Sequence, residues 1–241
     1  MQDNHSIAER IDAAHAQAQD APRYHLGASA LGHACDRHIW LGFRWAYAEQ
    51  FDGRILRLFR RGQNEEATVI ADLRRIGVDV RVPMNGQDRI TLDGHLGGSL
   101  DGRIAGGVPG APKEKMILEV KTHGRKSFDQ LVKLKVKEAK PQHWVQMQVY
   151  MHAEGVRSSL YYAICKDDDT IYTELVEYDE AAAVKSIERG HRISLADRQP
   201  EPMPGAGPSW FECKYCPHYA HCFPESASST HLAKLKGADR E

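Results

Sequence analysis

The segment KMILEVKT at 115–122 constrains the fold of this chain more than any other stretch. Its apolar residues predict a buried strand, and successive side chains of a strand point to opposite faces. One face then carries Met116, Leu118 and Val120, and the other carries Ile117, Glu119 and Lys121. Burying charge in a sheet is costly unless the charges pair or bind a metal ion. The segment therefore predicts either a solvent-facing Glu–Lys pair on a one-sided sheet or a functional site.

Asp101 favours the functional site. It lies in the strand-like stretch GSLDG at 98–102, and a loop rich in Gly and Pro separates it from Glu119. Neighbouring antiparallel strands can bring two such carboxylates close together. Two carboxylates suit Mg²⁺, which prefers oxygen ligands and keeps water molecules for a phosphate substrate. A lysine such as Lys121 can orient the attacking water or stabilise the charge that develops on the phosphate.

Two predicted helices add further polar groups. In the helix expected over about 54–76, Glu66 lies in the middle of the apolar stripe and needs a partner, either a metal site or a core arginine. In the helix expected over about 141–154, Gln146 and Tyr150 are four residues apart and share a face. Such a pair can hydrogen-bond a phosphate or hold the lysine in place, although this spacing is more often structural.

The order of the predicted elements indicates the fold class. Further helices are expected over about 1–20, 29–48 (with Ser29 as N-cap), 127–136 and 180–197, and strands over 78–83, 88–94, 95–106, 158–165 and 170–178. Helices followed by a mostly antiparallel meander, then helices and strands, predict an α/β fold with a central mixed sheet flanked by helices. The expected domain organisation is an N-terminal tail or helix at 1–24, a single domain at 25–224 and a disordered tail at 225–241.

The charge distribution limits the classes of partner. A formal net charge of −1 argues against a protein that coats nucleic acid through bulk charge. Two local basic clusters remain, each equally well explained as a solvated helix face: Arg54, Arg57, Arg60 and Arg61, and Arg125, Lys126, Lys133, Lys135, Lys137 and Lys140. No apolar stretch is long enough to span a bilayer, and the first residues lack a signal-peptide profile. We therefore expect a cytoplasmic, intracellular protein with no membrane partner.

Five cysteines without an export signal favour metal binding over a disulfide framework. The spacing C-x₂-C-x₅-C comprises Cys213, Cys216 and Cys222. Thiolates so closely spaced can hold one metal centre but need a fourth ligand, and Cys35 is the first candidate. With Zn²⁺, His218 or His221 is the alternative. Cys165, in the apolar stretch YYAIC, is expected to be a buried core thiol.

Together these residues resemble the PD-(D/E)XK nuclease superfamily, in its RecB-like and lambda-exonuclease-like branch. The matching stretches are RGQNEE (61–66), GSLDG (98–102), LEVK (118–121) and QMQVY (146–150), which occur in the order typical of the family. The early cysteine and late C-x₂-C-x₅-C are similar to the motif of RecB-type and CRISPR-adaptation nucleases, in which a [4Fe–4S] cluster joins the C-terminus to the N-terminal helices.

The resemblance implies a restriction-endonuclease-like core and a role for each matching residue. The implied ligands of Mg²⁺ or Mn²⁺ are Glu66, Asp101, Glu119 and the backbone carbonyl of Val120. Lys121 is implied as the catalytic lysine, with Gln146 and Tyr150 near the DNA backbone. The implied ligands of the [4Fe–4S] cluster, or of Zn²⁺ as the alternative, are Cys35, Cys213, Cys216 and Cys222. Glutamate at position 66, where CRISPR-adaptation nucleases often have histidine, favours the phage exonucleases.

Three functions compete on this basis. The first is a metal-dependent, phage-type DNA exonuclease that acts on single- or double-stranded ends in end processing or recombination. The second is a DNA-end or partner-binding subunit of a helicase–nuclease or CRISPR-adaptation-type complex. The third is a redox-sensitive regulator whose cluster controls DNA affinity. A recombination or helicase partner and a homo-oligomer stay open, and His123, just past Lys121, is a further candidate for substrate contact.

Overall fold

The computed structural model describes residues 6–17, 24–44, 51–83 and 88–227. The elements are, in order, α1 (Ile7–Gln17), β1 (Leu26–Gly27), a 3₁₀ turn (Ala28–Ala30), α2 (Asp36–Phe43), α3 (Gly53–Arg75), β2 (Val80–Arg81), β3 (Asp88–Asp93), β4 (Leu96–Leu100), β5 (Gly102–Ile104), β6 (Met116–His123), α4 (Arg125–Ala139), α5 (Pro141–Glu154), β7 (Ser158–Cys165), β8 (Ile171–Glu177), α6 (Glu180–Leu195), α7 (Phe211–Lys214), α8 (Tyr219–Cys222) and a 3₁₀ turn (Pro224–Ser226). The expected α/β class, with mixed sheets flanked by helices, is confirmed. Among the described residues, no helix has the length and apolar character needed to cross a membrane.

The chain divides into two compact units. Within the described residues, the cysteine unit comprises 6–17, 35–44, 51–61 and 198–227, and the sheet unit comprises 24–34, 62–83 and 88–197. The cysteine unit contains α1, α2, α7, α8 and the first part of α3. The sheet unit contains the rest of α3, all strands named above, and α4 to α6.

Two sheets form the sheet unit. The larger has the strand order β2-β5-β6-β7-β8, and the smaller has the order β1-β4-β3. β6 and β7 are parallel, because α4 and α5 intervene and return the chain to the same end of the sheet, whereas β5–β6 and β7–β8 are antiparallel. The prediction of one continuous strand over 95–106 is wrong in its extent. The chain bends at Asp101 and passes from β4 in the smaller sheet to β5 in the larger.

The faces of β6 are as the alternation predicts. Leu118 and Val120 belong to a buried cluster that also contains Val69, Ile70 and Leu73 of α3. Burial of a large apolar side chain such as Leu118 contributes about 1.5–3 kcal/mol to stability. The opposite face carries Glu119 and Lys121, and α5 contacts β6 there, through Gln146. The six consecutive residues 146–151 of α5 are buried, so this helix lies inside the unit rather than on its surface.

Two expected helix starts are wrong. α2 begins after Cys35 as its N-cap residue, and Ser29 lies in a 3₁₀ turn instead. α4 begins at Arg125 rather than Ser127, ends at Ala139 rather than Val136, and contains a break in helical geometry at Lys135. The expected disordered tail lies, from residue 228 onward, outside the described residues.

Polar contacts connect the elements of the cysteine unit. Arg57 of α3 pairs with Asp12 of α1 at 2.9 Å. A Cβ at Gly53 would lie 1.9 Å from the carbonyl oxygen of Asp12, so this close approach of α1 and α3 requires glycine. Arg37 of α2 donates to the carbonyl oxygen of Pro200 at 2.8 Å, which connects α2 to the segment that leads into α7.

Candidate functional site

Asp101 lies beside β6, as the spacing of the two segments predicts. Its Oδ2 accepts a hydrogen bond from the backbone N–H of Val120 at 2.7 Å. The next residue, Gly102, is paired with Leu118 in the antiparallel register of β5 and β6. Asp101 Oδ2 is also 4.0 Å from Lys121 Nζ. The two strands thus bring the aspartate carboxylate to the charged face of β6.

The fully buried Glu119 and the half-buried Lys121 pair on β6. The Lys121 ammonium contacts Glu119 Oε1 and donates to the carbonyl oxygen of Val120 at 3.1 Å. Burial raises the pKa of Glu119 to about 7; Lys121 acts against this rise and Asp101 adds to it. Burial disfavours the charged form of Lys121, but Glu119 and Asp101 outweigh burial and raise its pKa above the usual range. The Lys121 ammonium therefore lies beside a carboxyl group, that of Glu119, whose pKa is raised to about 7.

Glu66 contributes a third carboxylate to the same site. It lies half-buried on α3, three residues before the buried Val69. Burial first, and then the negative charge of Asp101, raise the pKa of Glu66 to about 7, while Lys121 acts in the opposite direction. The structure therefore brings together the carboxyl groups that sequence reasoning selected from three separate segments.

Gln146 and Tyr150 close the site from α5. Gln146 Nε2 donates to Glu119 Oε2 at 3.3 Å. Tyr150 is buried and hydrogen-bonded to Gln146 and to the backbone of Ser99, and burial raises its pKa to about 12. A Cβ at Gly98 would lie 2.3 Å from the Tyr150 hydroxyl oxygen, so the ring fits only because residue 98 is glycine. Gln146 thus supports the Glu119 carboxylate directly, and Tyr150 supports it through Gln146.

The donor set fits a divalent cation in kind. Carboxylates of Glu66, Asp101 and Glu119 and the carbonyl of Val120 are the oxygen ligands that Mg²⁺ and Mn²⁺ take. Within the described ranges, no three His, Cys, Asp or Glu side chains are arranged to hold a metal ion. A cation already lies at part of this set, because the Lys121 ammonium contacts Glu119 and Val120 and is 4.0 Å from Asp101. A metal ion at the same oxygens would have to displace this ammonium.

Four cysteines group within the cysteine unit. Cys35 precedes α2, Cys213 lies in α7 and Cys222 ends α8. These three and Cys216 are half-buried, and none of the four is in a disulfide. Burial raises the pKa of Cys216 to about 11; a hydrogen bond from the backbone of His218 opposes this rise, and the other three cysteines add to it. The thiols are therefore close enough to interact electrostatically, and their number and kind fit Cys₄ ligation. Cys165 is fully buried in β7, as expected of a core thiol.

Sequence reasoning missed His38 and a pair of residues near Lys121. His38 Nδ1 is 3.5 Å from Cys216 Sγ, and its position one helical turn after Cys35 could have indicated this. Tyr161 and His143 hydrogen-bond through the tyrosine hydroxyl at 2.9 Å. His143 shares a helix face with Gln146 and Tyr150, which is the signal that could have found it.

No protein-family model and no curated protein sequence matches the chain. Among solved structures, LHK-Exo of Laribacter hongkongensis in complex with dAMP gives a TM-score of 0.49 at 16% identity, over 77% of this chain and 90% of that chain. A phage-related exonuclease of Haemophilus somnus 129PT gives 0.44 at 17% identity, over 66% and 77%. The crystal structure of SSO0001 gives 0.51 at 15% identity, over 92% of this chain and 98% of that chain. The likeness to SSO0001 extends over nearly the whole of both chains and shows that they share a fold.

Proposed function

We propose that this chain is a divalent-metal-dependent DNA nuclease of the exonuclease type that acts at DNA ends in end processing or recombination. The observation that carries the proposal is the pair of half-buried Lys121 and fully buried Glu119 with Asp101 beside it, on a strand whose other face packs in the apolar core. A buried pair of this kind adds little stability over apolar side chains of similar size, which favours a functional reason for its presence.

The balance of charge supports a bound cation. Three carboxyl groups, those of Glu66, Asp101 and Glu119, lie within electrostatic reach of one ammonium group, that of Lys121. A phosphodiester approaching the ionised carboxylates would be repelled unless further positive charge were present. A divalent ion bound there would supply that charge, polarise the phosphate and activate a water molecule.

The residues of the chain have separate parts in this proposal. Lys121 places its ammonium at the phosphate and stabilises the negative charge that develops there. Gln146 holds one oxygen of Glu119 by a hydrogen bond and so orients the carboxylate. Tyr150 stays protonated at neutral pH, because its raised pKa lies far above it, and can donate to the DNA backbone or keep Gln146 in place.

We further propose that Cys35, Cys213, Cys216 and Cys222 bind a [4Fe–4S] cluster, with Zn²⁺ as the alternative. The support is the grouping of the four cysteines within one compact unit, where the other three act on the pKa of Cys216. An absorption spectrum of anaerobically purified protein, together with iron and zinc analysis, tests this. A colourless protein with one zinc per chain would favour zinc, and a protein without either metal would contradict both assignments.

The nuclease proposal is tested with Asp101→Asn and Lys121→Gln, measured on end-labelled single- and double-stranded DNA in Mg²⁺ and in Mn²⁺. Each variant is expected to lose at least about 100-fold in cleavage rate, as enzymes do when one charge-stabilising group is removed. Lys133→Gln, an exposed lysine on α4, removes the same charge away from the site and is the matched control. Cleavage at the wild-type rate by both site variants, with unchanged thermal melting, would contradict the proposal.

A second candidate function is a DNA-end or partner-binding subunit of a larger helicase–nuclease or CRISPR-adaptation-type assembly. It is favoured by the finding that, in the part of the chain that is described, no three metal-binding side chains are arranged for an ion. A purified chain that binds DNA but does not cut it, whichever divalent metal is added, would support this candidate. Sedimentation with and without DNA would show whether the chain assembles with further copies of itself.

A further inference from the structure

A series of hydrogen bonds continues along the charged face of β6 beyond Lys121. His123 is two residues further, about 6.7 Å along the strand, and points to the same face. Its Nε2 lies 3.0 Å from the Tyr161 hydroxyl oxygen, which is 2.9 Å from His143 Nδ1. The ring of His143 stacks on those of His123 and Tyr161, with centroids 5.8 and 5.9 Å away. This arrangement holds two imidazoles and a phenol rigidly beside the carboxylate site.

The series ends at a lysine. His123 Nδ1 is 3.3 Å from Ser127 Oγ, and Lys140 Nζ donates to the same Oγ at 2.5 Å. Because an ammonium can only donate, Lys140 donates to Ser127. In the cooperative arrangement, Ser127 then donates to His123. His123 donates to Tyr161, and Tyr161 donates to His143. Ser127 thus fixes the direction in which Lys140 presents its remaining N–H groups.

Lys140 carries a charge that the protein does not neutralise. It is half-buried between α4 and α5, and burial alone lowers its pKa. Its partner is the neutral hydroxyl of Ser127, and no carboxylate of the described residues pairs with it. Burial, together with Lys140, Lys121 and Lys166, lowers the pKa of His123 to about 4, so the imidazole between these lysines is neutral. A half-buried ammonium in such surroundings is stabilised by an anion from outside.

The backbone before Lys140 is strained. Lys135 has φ 62° and ψ 171°, a region that is almost exclusive to glycine. The break frees the N–H of Val136, which donates to Glu174 Oε2 at 2.9 Å, and this oxygen also accepts from the Tyr172 hydroxyl at 2.6 Å. The surrounding contacts therefore hold the break in place. Strain of this kind is retained most often where it positions a functional group, here the last turn of α4 and Lys140.

We propose that Lys140 binds a backbone phosphate of the DNA strand adjacent to the phosphate at Lys121, and that Ser127, His123, Tyr161 and His143 are positioning residues for it. The inference rests on the proposed nuclease function and names a second phosphate contact for the same strand. Lys140 lies at the end of a row that begins at Lys121 and continues through His123, so one strand can contact both lysines.

The test is DNA binding without cleavage. A fluorescein-labelled single-stranded oligonucleotide is titrated with protein in EDTA at several salt concentrations, using wild type, Lys140→Gln, Lys140→Arg and Lys133→Gln. Loss of one phosphate contact should reduce the slope of log affinity against log salt by about 0.7 and weaken binding several-fold at low salt. Lys140→Arg should retain the slope, because it keeps the charge. Lys133→Gln, on the exposed side of α4, should leave the slope unchanged.

The positioning role has a separate readout. Tyr161→Phe removes the hydroxyl that joins the two histidines and is expected to reduce the salt slope partly, with no change in overall charge. Equal slopes for Lys140→Gln and Lys133→Gln would overturn the inference. If wild type cleaves DNA while Lys140→Gln binds as wild type does, this inference alone fails. A wild-type chain that neither binds DNA in EDTA nor binds or cleaves it in Mg²⁺ or Mn²⁺ would overturn the proposed function and this inference together.

Discussion

The pKa values of Glu66 and Glu119 predict a steep pH dependence of metal binding around neutrality. Both carboxyl groups have a pKa raised to about 7, chiefly by burial. A carboxyl group with a raised pKa keeps its proton up to that pH and cannot act as a metal ligand while protonated. Metal affinity, and with it cleavage, should therefore rise as the pH passes upward through 7.

The size of the effect follows from the two values. With pKa values of about 7, each group is ionised in about one molecule in eleven at pH 6 and in about ten of eleven at pH 8. If both must be ionised, the metal-competent fraction rises about 100-fold between these two pH values. Carboxyl groups with ordinary pKa values near 4.5 would give almost no change over the same range. The change in metal affinity between pH 6 and pH 8 therefore distinguishes raised from ordinary pKa values.

The assay is the free Mn²⁺ signal in electron paramagnetic resonance, recorded at limiting metal from pH 6 to pH 8, with initial cleavage rates measured in parallel. Glu66→Gln removes one of the two titrating groups, so its affinity should change only about 10-fold over this range. Metal affinity that is flat between pH 6 and pH 8 in wild type would refute the reasoning.

The same shifts affect the metal-free protein in the opposite sense. The folded protein holds these two protons more tightly than the unfolded chain does. The contribution of Glu66 and Glu119 to folding stability is therefore greatest below about pH 4.5. That contribution is lost as the pH rises to about 7. The melting temperature of the metal-free protein should therefore fall less with rising pH in Glu66→Gln than in wild type.

Three further predictions concern packing, strain and the cysteines. Gly98→Ala should lower the free energy of unfolding by about 1–3 kcal/mol in urea titrations, because the new Cβ meets the buried Tyr150. Gly42→Ala, which has open space around it, should cause no such loss, and equal effects of the two variants would contradict this reasoning. Lys135→Gly should raise stability by about 1 kcal/mol in thermal melts by relieving the backbone strain, and a loss would show that the lysine is not strained. Cys216→Ser should lose the metal found in anaerobically purified wild type while Cys165→Ser keeps it, and equal metal contents would contradict the assignment of the four thiols.

Local patterns were sufficient for much of the fold. The alternation of KMILEVKT correctly separated the face that packs on α3 from the face that carries Glu119 and Lys121. The boundaries of α3, α5 and β7 agree with the expected ones to within about one residue, since periodicity, Gly77 and Pro141 are local signals. The sequence also selected Asp101, Glu119, Lys121 and Gln146, which lie close to one another in the structure, because polar groups in apolar segments stand out without any knowledge of the packing.

Tertiary structure alone decided how these segments meet. The bend at Asp101 depends on a hydrogen bond to Val120, and the break at Lys135 depends on Glu174 accepting the freed N–H of Val136. The series from Lys140 to His143 likewise joins α4, β6, β7 and α5. Periodicity in a sequence reports which face of an element is buried, but not which distant element covers it. Hydrogen bonds between remote residues and the pKa shifts caused by burial arise only once the chain has packed.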